Sequence, residues 1–100
     1  MRRPYKVKLT ETDIKRAIKD YFKLKRLWYF WVTQGLGCYK GIPDIFVKDS
    51  KGNMWAVEVK TMKGVLSEFQ QMFLSQWEDT GMHRFSLVAR SLDDVMEKIK

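Results

Sequence analysis

Two short apolar runs, DIFVK at residues 44–48 and MWAVEVK at residues 54–60, constrain the fold of this chain more than any other feature. The segment between them, DSKGN, offers a glycine for a positive φ, and this arrangement is typical of a β-hairpin. Side chains alternate between the two faces of a strand, so Glu58 and Lys60 point the same way. A turn centred on Lys51 then places Asp44 directly opposite Glu58.

Carboxylates at paired positions lie about 4.5–5.5 Å apart at Cβ, and like charges there destabilise a sheet. A divalent cation, a shared proton or Lys60 alone would each offset the repulsion between Asp44 and Glu58. A metal site explains all three residues together, because carboxylate oxygens are the ligands that hard cations prefer. A surface cluster of salt bridges, worth about 0–1 kcal/mol per pair, explains them equally well, and the spacing alone leaves both interpretations open.

Helical periodicity flanks the hairpin on both sides. Thr10 and Asp13 have the spacing of a capping box and predict a helix over residues 11–25 with an apolar face of Ile14, Ala17, Ile18 and Tyr21. Ser67 is predicted to cap a second helix rather than act as a nucleophile, and Gly81 is predicted at its C′ position. Its expected apolar face comprises Phe69, Met72, Phe73, Gln76 and Trp77.

Two further strands and a closing helix complete the prediction. The aromatic run LWYFWVT at 27–33 predicts a strand, RFSLVA at 84–89 predicts another, and Ser91 is the expected cap of a short last helix. The fold class is therefore α/β, in the order αβββαβα, with a central mixed sheet flanked by helices. Successive aromatic residues in the first strand must face both ways, and the face away from the first helix is expected to meet a second subunit.

Composition bounds the function. At 100 residues the chain is expected to form one domain, residues 1–100, and its net charge of +7 favours a polyanionic partner such as nucleic acid. No run approaches the roughly 20 apolar residues of a membrane span, and no signal peptide is expected, so a cytoplasmic location is predicted. Cys38 and His83 alone cannot supply the four soft ligands of a structural zinc site.

The combination of GIPD, EVK and LSEFQ resembles the PD-(D/E)xK nuclease superfamily, with its restriction-endonuclease-like core. Within it, the chain is most similar to the stand-alone VRR-NUC (virus-type replication–repair nuclease) domains of phages and bacteria. The similarity runs from TETDIKRAIKDYF to the last strand. It implies a metal-dependent DNA nuclease of a bacterial or phage-infected cell that acts on branched replication or repair intermediates. It also implies a homodimer whose two sites contact two strands of the DNA.

The resemblance also implies the roles of single residues. Asp44, Glu58 and the backbone carbonyl of Val59 would bind Mg²⁺ or Mn²⁺, and Glu11 would reach the metal directly or through water. Lys60 would be the catalytic lysine. Gln70 would assist it, with Gln71 as the alternative if the alignment is one residue off. Gln34 stands where the family has an arginine-like residue, and with Tyr39 and Lys40 it is a candidate DNA contact.

A non-enzymatic nucleic-acid-binding module with the same fold is the alternative. It would keep the basic surface but would be expected to lose one of Asp44, Glu58 and Lys60, and all three are present. An RNA-binding or regulatory protein is less favoured, since the chain has no RNP-like aromatic motif. The strand-rich centre disfavours a helix-turn-helix repressor.

Overall fold

The computed structural model describes residues 9–33 and 39–100, and it contains the predicted elements in the predicted order. Strand β1 is shorter than the predicted 27–33, and the other bounds agree with prediction to within two residues at most positions. The elements are α1 (Glu11–Lys25), β1 (Trp28–Trp31), β2 (Ile45–Lys48), β3 (Met54–Val59), α2 (Glu68–Asp79), β4 (Arg84–Ala89) and α3 (Leu92–Lys98).

Helix α1 begins at the predicted capping box. The Thr10 hydroxyl accepts a hydrogen bond from the Asp13 N–H, and the Asp13 carboxylate accepts one from the Thr10 N–H. The helix ends where Arg26 adopts a left-handed conformation (φ 58°) and its N–H donates to the carbonyls of Lys23 and Phe22. The buried face of α1 is Ile14, Ile18, Tyr21 and Phe22.

The four strands form one mixed sheet in the order β1-β2-β3-β4. The first two pairings are antiparallel, while β4 runs parallel to β3 because α2 carries the chain back across the sheet. In the central hairpin Ile45 pairs with Val57 and Lys48 pairs with Met54. This is the register that a turn centred on Lys51 predicts, and Gly52 adopts the positive φ (88°) that the turn requires.

Asp49 organises that turn. Its carboxylate accepts hydrogen bonds from the backbone N–H groups of Lys51 and Asn53 (both 2.9 Å), from the Asn53 amide (3.1 Å) and from the Trp55 indole (3.0 Å). Burial acts to raise the pKa of Asp49, but these hydrogen bonds outweigh it and lower the pKa overall. The buried carboxylate therefore fixes the hairpin register in addition to the glycine.

The sheet lies between helices on both faces. Odd-numbered residues of β2 and β3 face α1 and α3 and form the larger core, which contains Ile14, Ile18, Tyr21, Phe22, Ile45, Val47, Val57, Val59, Ala89, Val95 and Ile99. Even-numbered residues face α2 and form a smaller cluster of Phe46, Ala56 and Leu74. Glu58 has an even number and so lies on the thinner, α2-covered side, whereas Asp44 directly precedes β2 at the end of the sheet.

Two details of α2 differ from the prediction. Leu74 is its buried residue, with Phe73 and Trp77 partly buried, whereas Phe69 and Met72 are about half exposed. The predicted apolar face was therefore wrong in part, because α2 packs mainly over β4 and leaves its outer edge uncovered. Gly81 lies at the predicted C′ position, directly after the C-cap Thr80, but it lacks the positive φ of a left-handed cap. Thr80 is right-handed, and its N–H and hydroxyl both donate to the Trp77 carbonyl.

Along residues 9–33 and 39–100, no helix has both the length and the apolar character needed to cross a bilayer.

We expect Asp49→Ala to lower the free energy of unfolding by about 2–3 kcal/mol, because it leaves four partly buried donor groups without their acceptor. Urea denaturation at pH 7 measures this change. The stabilisation belongs to the ionised carboxylate, whose pKa is lowered on folding, so it should be present at neutral pH and be lost as the pH falls below about 4.

Lys51→Ala is the matched control, since it alters the same turn but keeps the backbone N–H that donates to Asp49. An Asp49→Ala protein as stable as the control would show that the glycine alone determines the register.

Candidate functional site

Asp44 and Glu58 meet at one end of the central hairpin. The regular ladder ends at the Ile45–Val57 pair, and one residue further the Asp44 N–H donates to the Val57 carbonyl (3.1 Å). Both side chains are buried, with exposed fractions of 6% for Asp44 and 2% for Glu58. The turn therefore places the two carboxylates next to each other and away from bulk solvent.

Both oxygens of Asp44 have partners. Oδ2 accepts a hydrogen bond from the Val59 N–H at 2.8 Å, and Oδ1 forms an ion pair with Lys15 Nζ of α1 at 3.2 Å. The first contact fixes the carboxylate beside the Val59 peptide, whose carbonyl stays a predicted metal ligand. The ion pair with Lys15 supplies a positive charge that partly offsets the repulsion between Asp44 and the neighbouring Glu58.

The two oxygens of Glu58 differ. Oε1 accepts a hydrogen bond from the Gln70 amide at 2.8 Å and lies 3.8 Å from Lys60 Nζ. Oε2 is buried and has no hydrogen-bond partner among the described residues. An unpartnered buried carboxylate oxygen is costly, and such an atom in a polar cavity is what a cation or a water would satisfy.

Gln70 reaches Glu58 because of the cap of α2. The Ser67 hydroxyl accepts from the Gln70 N–H (3.2 Å), and the Gln70 side-chain oxygen accepts from the Ser67 N–H (2.9 Å). This capping box directs the amide nitrogen of Gln70 toward the sheet. Gln71 instead donates to the Leu66 carbonyl (3.3 Å), so Gln70 is the glutamine at the cavity, and Ser67 is a cap as predicted.

The carboxyl of Glu58 is strongly perturbed. Burial raises its pKa most, and the nearby Asp44 charge raises it further, while Lys60 and Lys15 oppose this shift and Glu11 adds to it weakly. The resulting pKa is about 7. A carboxyl that titrates near neutral pH next to an ionised neighbour marks a candidate functional site.

These side chains line one cavity of about 390 Å³. The structure thus brings together five of the predicted site residues, namely Glu11, Asp44, Glu58, Lys60 and Gln70. The cavity is also lined by Lys15, Trp31 and Val32. Lys15 lies outside the apolar face predicted for α1, and no role was predicted for it. Its spacing of four residues from Glu11 was the signal that placed both on one helical face.

A hard cation in this cavity would have only a few protein ligands. Within residues 9–33 and 39–100, no group of three or more His, Cys, Asp or Glu side chains is arranged to hold a metal. Glu11 is exposed and lines the cavity without completing such a group. Mg²⁺ is commonly held by one or two carboxylates with water in the other positions, and Asp44 with the free Oε2 of Glu58 matches that chemistry.

The predicted DNA contacts lie near the start of α2. Tyr39 is exposed and packs edge-on against Phe73 (5.8 Å between centroids), and the ammonium of Lys40 lies 4.4 Å from the centre of the Phe69 ring. Gly41 (φ 82°) allows this loop to touch α2, since a Cβ there would lie 2.4 Å from the Phe69 carbonyl oxygen. Gln34 lies outside the described residues.

In metal-free buffer, we expect Glu58→Gln to become more stable relative to the wild type as the pH rises from about 5 to 8. The folded-state pKa of Glu58 is raised, so the native protein binds more protons than the unfolded chain between the normal value of 4.5 and about 7. Stability conferred by the protonated carboxyl is therefore lost as the pH increases through this interval. The difference in unfolding free energy should grow by up to about 3 kcal/mol.

Urea denaturation in EDTA across this pH range measures the difference, with Glu97→Gln, an exposed position outside the cavity, as the control. A difference between wild type and Glu58→Gln that does not change with pH would contradict the shifted titration.

No protein-family profile matches this sequence, and no curated protein matches it. A solved structure described as a VRR_NUC domain is similar to this chain, with a TM-score of 0.68 and 21% sequence identity. The similarity covers 88% of this chain and 95% of that one. At the level of the fold, this structural similarity confirms the resemblance that the motifs indicate: this chain has the fold of a VRR_NUC domain structure.

Proposed function

We propose that this chain is a nuclease that hydrolyses DNA phosphodiester bonds with the help of Mg²⁺ or Mn²⁺. The observation that carries the proposal is the pair of buried carboxylates at the end of the β2–β3 hairpin, one of which has an oxygen with no partner among the described residues. Lys60 and Gln70 contact the same carboxylate within the same cavity. The fold shared with a VRR_NUC domain structure supports the assignment.

The residues that would hold the metal are Asp44, Glu58 and the Val59 carbonyl, with Glu11 acting directly or through water. When bound, Mg²⁺ or Mn²⁺ supplies Lewis acidity that makes water a better nucleophile and offsets charge on the phosphate. Glu58 must be ionised to act as a ligand, so binding should strengthen as the pH rises toward and above its pKa of about 7.

The protein's own groups position and stabilise the reacting atoms. Gln70 orients the Glu58 carboxylate by donating to Oε1, while Oε2 has no partner among the described residues and is the oxygen available to a metal. The Lys60 ammonium, close to the same oxygen, can orient the attacking water and stabilise the negative charge that develops on the phosphate. When no metal is bound, Lys15 neutralises the charge of Asp44. The Lys15 ammonium would be displaced by a metal bound at Asp44 and would then be a second cation available to the phosphate.

The substrate class follows from charge and from the family resemblance. A net charge of +7 suits a phosphate backbone, and the exposed Tyr39 and Lys40 offer a ring and a cation beside the first turn of α2. We propose branched replication or repair intermediates as the preferred DNA, in the cytoplasm of a bacterial or phage-infected cell. The alternative is a module with this fold that binds nucleic acid without cutting it.

Cleavage of flap, splayed-arm, four-way and linear DNA in Mg²⁺, Mn²⁺ or EDTA tests the proposal. We expect cleavage with either metal, none in EDTA, and a loss of about 100-fold or more in Lys60→Ala and Glu58→Gln. Gln70→Ala should be impaired to a smaller extent, since it removes the group that orients Glu58.

Two matched controls accompany these variants. Lys63→Ala removes an exposed lysine three residues from Lys60, and Gln71→Ala removes the neighbouring glutamine that bonds a backbone carbonyl instead of Glu58. Cleavage that persists in EDTA, or in both Lys60→Ala and Glu58→Gln, would contradict the mechanism. DNA binding without cleavage by any form would favour the binding module.

We also propose that the chain acts as a homodimer. Tyr29 and Trp31 of β1 pack on the larger core as predicted for one face of the strand, whereas Trp28 and Phe30 on the other face are 56% and 45% exposed. Large exposed aromatic side chains on an edge strand favour contact with a second copy.

We expect sedimentation equilibrium to give a dimer for the wild type and a monomer for Trp28→Glu, because a charge cannot be buried there without a partner. Leu24→Glu places the same charge at another exposed apolar position and should leave the dimer intact. A wild type that is monomeric at all concentrations would rule out the homodimer.

A further inference from the structure

The loop that follows Lys60 is held by an unusual set of contacts. Residues 61–64 form a turn in which the Gly64 N–H donates to the Thr61 carbonyl (3.1 Å). The side chains of Met62 and Val65 are 76% and 80% exposed, so they do not anchor the loop. Its position must therefore depend mainly on backbone contacts.

Arg90 provides those contacts. One nitrogen of its guanidinium, Nη1, donates to the carbonyls of Thr61 and Gly64 at 2.7 Å each and lies 3.4 Å from the carbonyl of Met62. Arg90 follows β4 directly, and its N–H donates to Asp94 Oδ2 at 2.9 Å. A charged donor shared between two carbonyls makes strong hydrogen bonds, so Arg90 ties the turn to the end of the sheet.

The turn at 61–64 also packs against the side chain of Lys60. A Cβ added at Gly64 would lie 3.3 Å from both Cβ and Cδ of Lys60, which means that the glycine backbone rests directly on the lysine stem. The Lys60 N–H donates to the Ala89 carbonyl (3.0 Å), so its backbone is already fixed to β4. Its side chain is largely covered and ends 3.8 Å from Glu58 Oε1.

We propose that Arg90 is a positioning residue: it presses the turn at 61–64 against the stem of Lys60 and so holds the ammonium beside Glu58. The same loop leads to Ser67 and Gln70, so Arg90 restrains the segment that connects the two groups bonded to Glu58 Oε1. The catalytic consequence rests on the proposed nuclease function, whereas the positioning of Lys60 does not.

NMR spectroscopy of Lys60 tests the positioning without any DNA. In the wild type we expect nuclear Overhauser effects between the Gly64 α-protons and the Lys60 side-chain methylenes, and slow exchange of the Gly64 amide. Arg90→Met should abolish these effects and speed exchange of that amide about tenfold or more. Arg90→Lys should restore them in part, since an ammonium also donates to several carbonyls.

Lys63→Met is the control, because it removes an exposed charge from the same turn and no hydrogen bond to these carbonyls. Gly64→Ala is a second variant that does not alter Arg90. Its new methyl group should displace the Lys60 stem and shift the methylene signals. Lys60 signals that are unchanged in Arg90→Met, while Gly64→Ala shifts them, would overturn the proposal.

Kinetics then test the catalytic consequence. Arg90→Met should lower kcat by about 10- to 100-fold with little change in KM, because a misplaced group acts on the reaction step more than on DNA binding. In a Lys60→Met background, Arg90→Met should cause no further loss of kcat, since both substitutions remove the same contribution, that of the positioned Lys60 ammonium. An additive loss would overturn the coupling to Lys60. If no form cleaves DNA, the nuclease proposal fails while the NMR result still decides the role of Arg90.

Discussion

The pairing of β2 with β3 determines where the two buried carboxylates of the cavity, Asp44 and Glu58, lie. A shift of one residue would move Glu58 to the opposite face of the sheet and place it in the larger core against α1. The hairpin prevents this shift through Gly52, which allows the turn, and through Asp49, which accepts four hydrogen bonds from the turn and from Trp55. The cavity thus depends on a third buried carboxylate, Asp49, at the far end of the same two strands.

The register imposes an electrostatic cost. Asp44 and Glu58 are both buried, and the proximity of their charges helps to raise the pKa of Glu58 to about 7. Lys15 and the Val59 N–H bond the two oxygens of Asp44. Gln70 and Lys60 both contact Oε1 of Glu58, and these contacts offset part of the electrostatic cost. Together they satisfy three of the four carboxylate oxygens. The fourth, Glu58 Oε2, has no hydrogen-bond partner among the described residues. The native fold therefore retains a buried, unsatisfied oxygen that a bound cation would satisfy.

The sequence predicted the parts of the site that depend on local rules. Strand alternation and the turn placed Asp44 opposite Glu58, and the local pattern predicted Ser67 as the cap of α2. The role of Gln70 was instead implied by the family resemblance, with Gln71 as the alternative. Sequence reasoning missed Lys15 and Arg90, because their roles depend on how α1 and β4 pack around the cavity and not on their own neighbours in the chain. The buried face of α2 was misassigned for the same reason: the pattern shows which residues are apolar, but coverage by β4 decides that Leu74 is buried and Met72 is not.

The most direct test of the central claim is the position of a bound ion. Crystals soaked in Mn²⁺ should show an anomalous-difference peak between Asp44 and Glu58, within about 2.0–2.3 Å of Glu58 Oε2 and an Asp44 oxygen. Glu58→Gln crystals treated in the same way should lack the peak. Absence of a peak in the wild type at Mn²⁺ concentrations that support cleavage, or a peak elsewhere on the protein, would contradict the assignment of these carboxylates as the metal site.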